Sequence, residues 1–577
     1  MTLLFDDPRA DRWAMFLAVG CLVGLSACDD GSATDPVRPY PEGECVVVGD
    51  VTLRGQVDVD DLRGVEMITG TLAIGPSSDI SDLSPLAELR WTASLRVSGN
   101  SLLETLAGLD SLQVDPQSLL DITGNAALTD LKGLPPRLAP AHVSIQRNLS
   151  LSSLAGLPTL QAPAIMLVAD CPALGDLWGI GAQPVLRTLS LRSLDSLTGL
   201  AGAEQAVGLS ALTLTAMPSL GGDPWEAPPD SLRTISVEYC AQLEDLRPLG
   251  DLSNLTRLTV RACGGLRSLE HLGGSSHLAW LEIDRCDALA GLHGFTDLSA
   301  LEQIYISSSD QLSDLRGLPP LPDLEFLGVT GCEGLRSLDG LGATPSLKMM
   351  SVSRCDGLVT LDGARDLAGL HSLSVTSCPA LENLGGLPSL PQLTYLRLKD
   401  LDLGDLAGLP ALSTLETLNI EANALLVDLT GLPALPALSL LDITGNPALA
   451  SLAGLPVLPP EAGIRIVENN ALRTLAGLAG TTACGALSIL GNASLESLAG
   501  LQDLGAIGGV DTAEFAIIGN PVLADASALA GVQSAPSLVR ILDNASLDTC
   551  AVLDLVRPWV AVVTLEIAGN GPCAGAR

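Results

Sequence analysis

Aromatic side chains are scarce. Trp, Tyr and Phe make up only 3% of the 577 residues, although 47% of the chain is hydrophobic. The apolar mass is therefore aliphatic, mostly Leu, Ala and Val. That is unusual for a compact globule and normal for an array that stacks the same Leu rows turn upon turn. Lysine is nearly missing, confined to Lys132, Lys348 and Lys399, and 66 acidic residues against 30 basic ones give a formal net charge of −36. That charge keeps a long chain in solution and argues against nucleic acid or anionic lipid as a partner. After Leu25 no apolar run is long enough to span a bilayer. GxSxG, HExxH, GxGxxG and P-loop signatures are all missing, so neither an enzyme nor a cofactor is expected.

What is present begins at the N-terminus. Trp13 to Leu25 form a thirteen-residue apolar run preceded by Arg9 and Arg12, the length of a secretory signal core rather than of a membrane span. The run ends in Leu25-Ser26-Ala27-Cys28, which resembles the lipobox of bacterial lipoproteins. The resemblance implies a signal peptide over residues 1–27, acylation of Cys28 as the first mature residue, and a membrane contact through that anchor. It places the protein in the bacterial cell envelope: outer membrane, periplasm or cell surface. Asp6, Asp7 and Asp11 depart from the family pattern by making the leader less basic. Residues 28–44, rich in Asp, Pro and Gly, read as a flexible tether.

The remainder repeats. LTRLTVRACGGLRSLEHLGG from Leu255, LEFLGVTGCEGLRSLDGLGA from Leu324 and LSLLDITGNPALASLAGLPV from Leu438 share the frame LxxLxLxxCxxLxxLxxL, with Asn allowed for Cys. The Asn/Cys position recurs every 23 residues from Asn125 to Leu401 and continues, less regularly, to Asn570. This is a solenoid of roughly two dozen turns over residues 45–573. In each turn two alternating apolar residues, such as Leu258 and Val260, point one face of a short strand inward. Gly and Pro in segments such as AGLPTL exclude a long helix on the opposite side.

The frame is similar to leucine-rich repeats that carry Cys or Asn at the ladder position, and the first turns look like the receptor L-domain variant. The resemblance implies a mainly β fold: a right-handed solenoid with one continuous parallel sheet, and members of these families mostly bind proteins or other ligands. Strands spaced about 4.8 Å apart with no helices behind them predict gentle curvature and a body on the order of 100 Å long. Leu194, Met217 and Leu401 depart from the ladder pattern, which points to local distortion in those turns.

Seven of the thirteen cysteines fall on the ladder: Cys171, Cys240, Cys263, Cys286, Cys332, Cys355 and Cys378. Parallel side chains in a buried row predict free thiols, and a spacing of 23 with scattered histidines argues against a metal. Cys550 and Cys573 flank the final turn and read as a cap disulfide. Cys45 has no near partner and is expected to stand unpaired or to pair outside the chain. Acidic residues such as Asp130, Asp245 and Asp314 fall at turn positions and read as solvated caps of local backbone.

Outward strand positions lie two, four and six residues before each ladder residue. In the terminal turns they are mostly Ser, Thr, Ala or aliphatic. In the middle turns they are Glu238, Arg257, Arg261, Trp280, Glu282, Asp284, Tyr305 and Phe326, followed by Tyr395, Arg397 and Lys399. Four of the chain's fifteen aromatics thus occupy one face, and interfaces favour Trp, Tyr and Arg. This pattern favours a non-enzymatic recognition module for a protein or glycan ligand. A structural or self-assembling envelope protein is the alternative, and would repeat the same small residues on every turn.

Overall fold

The computed structural model describes residues 45–270, 275–508, 514–557 and 564–573. The expected signal segment, the lipid site Cys28 and the tether lie outside the described residues. The chain divides into two compact units, residues 1–171 and 172–577. Both are mainly β, both are built from short parallel strands one turn apart, and each has the architecture of a leucine-rich-repeat-type solenoid.

In the first unit the strands Trp91–Ser98, Leu119–Thr123, His142–Gln146 and Ala164–Ala169 lie side by side, so that Val97, Ile122, Ile145 and Val168 form one inward row. All four are fully buried. The second unit repeats the arrangement from Leu186–Arg192 to Thr564–Ala568, with rows such as Val237, Val260, Ile283 and Ile306. Leu266 and Leu269 of the following bend are buried too. Each buried aliphatic side chain contributes about 1.5–3 kcal/mol, and a turn gains that only against its neighbours, which is why the period holds so strictly.

Most of the buried polar side chains among the described residues belong to the ladder. Asn446 accepts through Oδ1 from the Asn423 backbone N–H at 2.9 Å, and its Nδ2 donates to the Ile420 carbonyl at 3.0 Å and to Asn469 Oδ1 at 3.0 Å. The same pattern links Asn100, Asn125 and Asn148, and runs from Asn469 through Asn492 and Asn520 to Asn544. A buried amide stays there because neighbouring turns satisfy it. In the cysteine turns the thiol donates to the carbonyl two residues back, as from Cys171 to Ala169 at 3.3 Å. Leu194, Met217 and Leu401 are fully buried, and the strand register passes through their turns unbroken. In the Leu194 and Met217 turns the expected distortion is absent because an apolar side chain fills the slot by packing alone; after Leu401 the usual turn is lost and the step from Tyr395 to its partner Thr417 shortens to 22 residues.

A second row accompanies the ladder. Among the described residues fourteen non-glycine residues have positive φ, and each immediately precedes a ladder residue; Arg147, Tyr239, Ala262 and Ala422 have φ of 55°, 58°, 51° and 54°. The chain leaves each strand through a left-handed residue whatever its type, a strain the surrounding stack must offset.

The side away from the main strands carries bends, single 3-10 turns such as Arg247–Leu249, and two-residue strand pairs such as Ala483–Cys484 with Ala506–Ile507. Turn carboxylates cap this backbone: Asp130, Asp245 and Asp314 each accept from the N–H two residues on, at 3.1, 2.9 and 3.0 Å. Two short α-helices occur among the described residues, Gln56–Asp60 and Thr549–Val556. No helix among the described residues is long and apolar enough to cross a membrane.

Cys550 and Cys573 form a disulfide with their Cα atoms 5.0 Å apart. The seven ladder cysteines are free and buried, as is Cys484, a residue the repeat frame does not account for. Cys45 is disulfide-bonded. That corrects the expectation of a Cys45 left unpaired or paired outside the chain.

Candidate functional site

The outward residues of the middle turns all fall in the second unit, on strands whose register fixes their neighbours. Arg257 lies opposite Trp280, Trp280 opposite Gln303, and Gln303 opposite Phe326. Tyr305 sits two residues further along its strand, between Glu282 and Gly328. Leu281, Ile283, Ile304 and Ile306 point into the core, so the residues between them face out.

The rings of Trp280 and Tyr305 stack with centroids 4.7 Å apart and planes inclined by 27°. Those of Tyr305 and Phe326 stack at 4.7 Å and 28°. The Arg257 guanidinium lies 4.1 Å over the Trp280 ring. Four side chains from four successive strands therefore form one half-buried ridge. Gly328 makes room for it, since a Cβ there would come within 2.8 Å of Phe326 Cε1 and 3.6 Å of Tyr305 Cδ1. The Tyr305 hydroxyl donates to Gln303 Oε1 at 3.2 Å, and burial, then the nearby Glu282 carboxylate, pushes it above the usual phenol range. Met349, opposite Phe326 on the next strand, is exposed. The repeat frame did not single out Gln303, Gly328 or Met349; a glycine inside a strand beside aromatics was the available signal.

Charged groups beside the ridge are mostly paired. Arg261 donates to Glu282 through Nε at 3.0 Å and Nη2 at 2.6 Å, and that bond raises its already high pKa. Asp284 accepts from Ser307 Oγ at 2.7 Å and from Arg285 Nε at 3.0 Å. Glu238 accepts from Ser236 Oγ at 2.8 Å. On the exposed face such pairs contribute little stability, but they neutralise the surroundings of the rings.

Tyr395, Arg397 and Lys399 form a separate group. The Met349–Ser353 and Ser372–Thr376 strands stand between them and Phe326. Tyr395 Oη accepts from Asn419 Nδ2 at 3.1 Å, and Glu421 takes Arg397 at 2.8 Å and Lys399 at 3.5 Å. That bond raises the Arg397 pKa. The structure thus divides the sequence patch into an apolar ridge and a polar cluster. Among the described residues one group could combine metal-ligand types, Asp548 with Cys550 and Cys573. Both sulfurs belong to the disulfide, and the Asp548 carboxylate caps the last helix through the Cys550 N–H at 2.8 Å.

No protein-family model and no curated protein matches the chain. Among solved structures it is similar to the receptor in a TLR13–ssRNA13 complex, at 14% identity over 90% of each chain with a TM-score of 0.31. An internalin, InlF of Listeria monocytogenes, matches at 14% identity over 55% of this chain and 86% of its own, with a TM-score of 0.22. The plant peptide hormone receptor RGFR1 in complex with RGF2 matches at 14% identity over 91% and 85%, with a TM-score of 0.21. Superpositions this loose carry no functional argument.

Proposed function

We propose that the protein is a non-enzymatic recognition module of the bacterial cell envelope, held to a membrane by a lipid on Cys28 and presenting its sheet face to a protein or glycan ligand. The observation that carries this reading is the ridge of Arg257, Trp280, Tyr305 and Phe326. In a chain with so few aromatics, three of them stack on the outside of one sheet, where folding alone does not require them. Preordered aromatic and Arg side chains lose little conformational entropy on binding and are favoured at the centres of interfaces. Paired carboxylates around the ridge leave its rings clear of unpaired negative charge, on a chain that otherwise repels anions.

Two experiments test the reading. Cys28→Ser should abolish acyl labelling and leave the precursor uncleaved by the lipoprotein pathway; labelling that survives removes the anchor from the proposal. Affinity capture from the native envelope with the full chain should recover a ligand that the Trp280→Ala/Tyr305→Ala double variant does not. Equal recovery by both proteins would move the binding surface elsewhere.

A further inference from the structure

The ridge also constrains what can bind it. Sugars are recognised on aromatic side chains by laying a C–H face flat against an open ring face. Trp280 has Arg257 from the preceding strand on one face and Tyr305 from the following strand on the other. Tyr305 is enclosed in the same way by Trp280 and Phe326. These two central rings have both faces taken and offer their edges; Phe326, stacked by Tyr305, lies beside the exposed, adaptable Met349 side chain.

Arg257 supplies the polar part. Its neighbour Arg261 is taken by Glu282, but the exposed Arg257 side chain has the Trp280 ring as its contact and no hydrogen bond or ion pair among the described residues. Stacking on an indole holds the guanidinium plane while leaving its N–H groups free, the arrangement suited to bidentate capture of a carboxylate.

We infer that the ligand of this face is a polypeptide segment that sets an Asp or Glu carboxylate against Arg257 and packs adjacent apolar side chains along the ring edges of Trp280, Tyr305 and Phe326. This rests on the reading of the sheet face as the binding surface, and narrows that reading from protein or glycan to an acidic-apolar peptide. The free guanidinium provides the charge complementarity.

The test offers two sets of probes to the full chain: a phage-displayed library of random short peptides, and soluble oligosaccharides of glucose and of N-acetylglucosamine. Selected peptides should carry an acidic residue beside an apolar one. They should bind Arg257→Gln at least about tenfold more weakly than the parent, with Arg257→Lys intermediate because it keeps the charge but not the fork. The oligosaccharides should not bind. Arg257 is exposed, so its replacement leaves folding intact. Peptides without acidic bias, or held equally by Arg257→Gln, would overturn the inference while leaving the sheet face as a binding surface. Oligosaccharide binding lost in Trp280→Ala would overturn it in the same limited way. If neither probe set binds, the inference and the broader reading fall together.

Discussion

Tyr305 stacks on Trp280 although the two are not opposite each other: Trp280 faces Gln303 across the strand pair and Tyr305 faces Glu282. The contact is a diagonal, within the reach of aromatic side chains on neighbouring strands. The next diagonal, Tyr305 on Phe326, closes because Gly328 carries no side chain that would push the Phe326 ring away. The ridge is thus a property of three strands together and has energetic consequences of its own.

Trp280 holds a cation on one face and a ring on the other. Its truncation should therefore cost more than an ordinary surface change. An aromatic pair contributes about 0.5–1.5 kcal/mol and an exposed cation–π contact about 0.5–1 kcal/mol. Trp280→Ala should shift the denaturation midpoint by an amount equivalent to about 1–2 kcal/mol, whereas Ser98→Ala should stay within about 0.5 kcal/mol. Equal midpoints for the two variants would mean that the stack does not persist in solution.

Asn446→Ala removes an acceptor from the Asn423 N–H and a donor from the Ile420 carbonyl, both buried. Each stranded polar group costs about 1–3 kcal/mol. The expected loss of about 2–5 kcal/mol should appear in calorimetry or chemical denaturation. A loss below about 1 kcal/mol would show that the ladder bonds are not needed.

The eight thiols that are free among the described residues should be silent to an exposed-thiol reagent in the native protein and react after denaturation without reductant. Burial also pushes Cys286, Cys332 and Cys484 up to about 12. In the unfolded chain these thiols ionise near pH 9 while the folded chain keeps them protonated. Their contribution is therefore complete below about pH 9 and is lost as the pH rises from about 9 towards about 12, on the order of 1 kcal/mol per pH unit for each thiol. Cys→Ser variants at the three positions should flatten that alkaline loss. An unchanged slope would assign it to other groups.

Two glycines separate backbone strain from crowding. Gly445 precedes a ladder residue with φ of 69°, and a Cβ there would meet nothing nearer than Ala422 N at 3.9 Å. Gly445→Ala should cost about 1–2 kcal/mol, the left-handed term alone. Gly133 has φ of 101°, and its Cβ would come within 2.1 Å of Ala107 N and the Leu106 carbonyl carbon. Gly133→Ala should cost clearly more. Equal losses, read by thermal unfolding, would contradict the close approach between turns.

The fold was legible in the sequence because every turn restates it. Leu258 and Val260, or Asn446 and Leu449, stand in the same frame as their counterparts 23 residues away, and burial follows the frame. The outward placement of Trp280, Tyr305 and Phe326 followed from the same alternation. Their stacking was not legible, since a diagonal contact depends on rotamers and on Gly328 in a third strand. Nor was the left-handed residue before the ladder, because Arg147, Tyr239 and Ala262 are not residues that signal positive φ. Leu194 and Met217 read as breaks only because the ladder looked chemical, whereas packing alone fills the slot.

Whether the ridge faces a partner can be read by site-specific photo-cross-linking in the cells that make the protein. A photoreactive aromatic residue is placed at Met349, 49% exposed beside Phe326, and for comparison at Val457, 67% exposed in a bend between strands. A discrete covalent adduct is expected from position 349, lost in the Trp280→Ala background, and none from position 457. Adducts from 457 alone, or an adduct at 349 that persists without Trp280, would contradict a ridge that faces a partner.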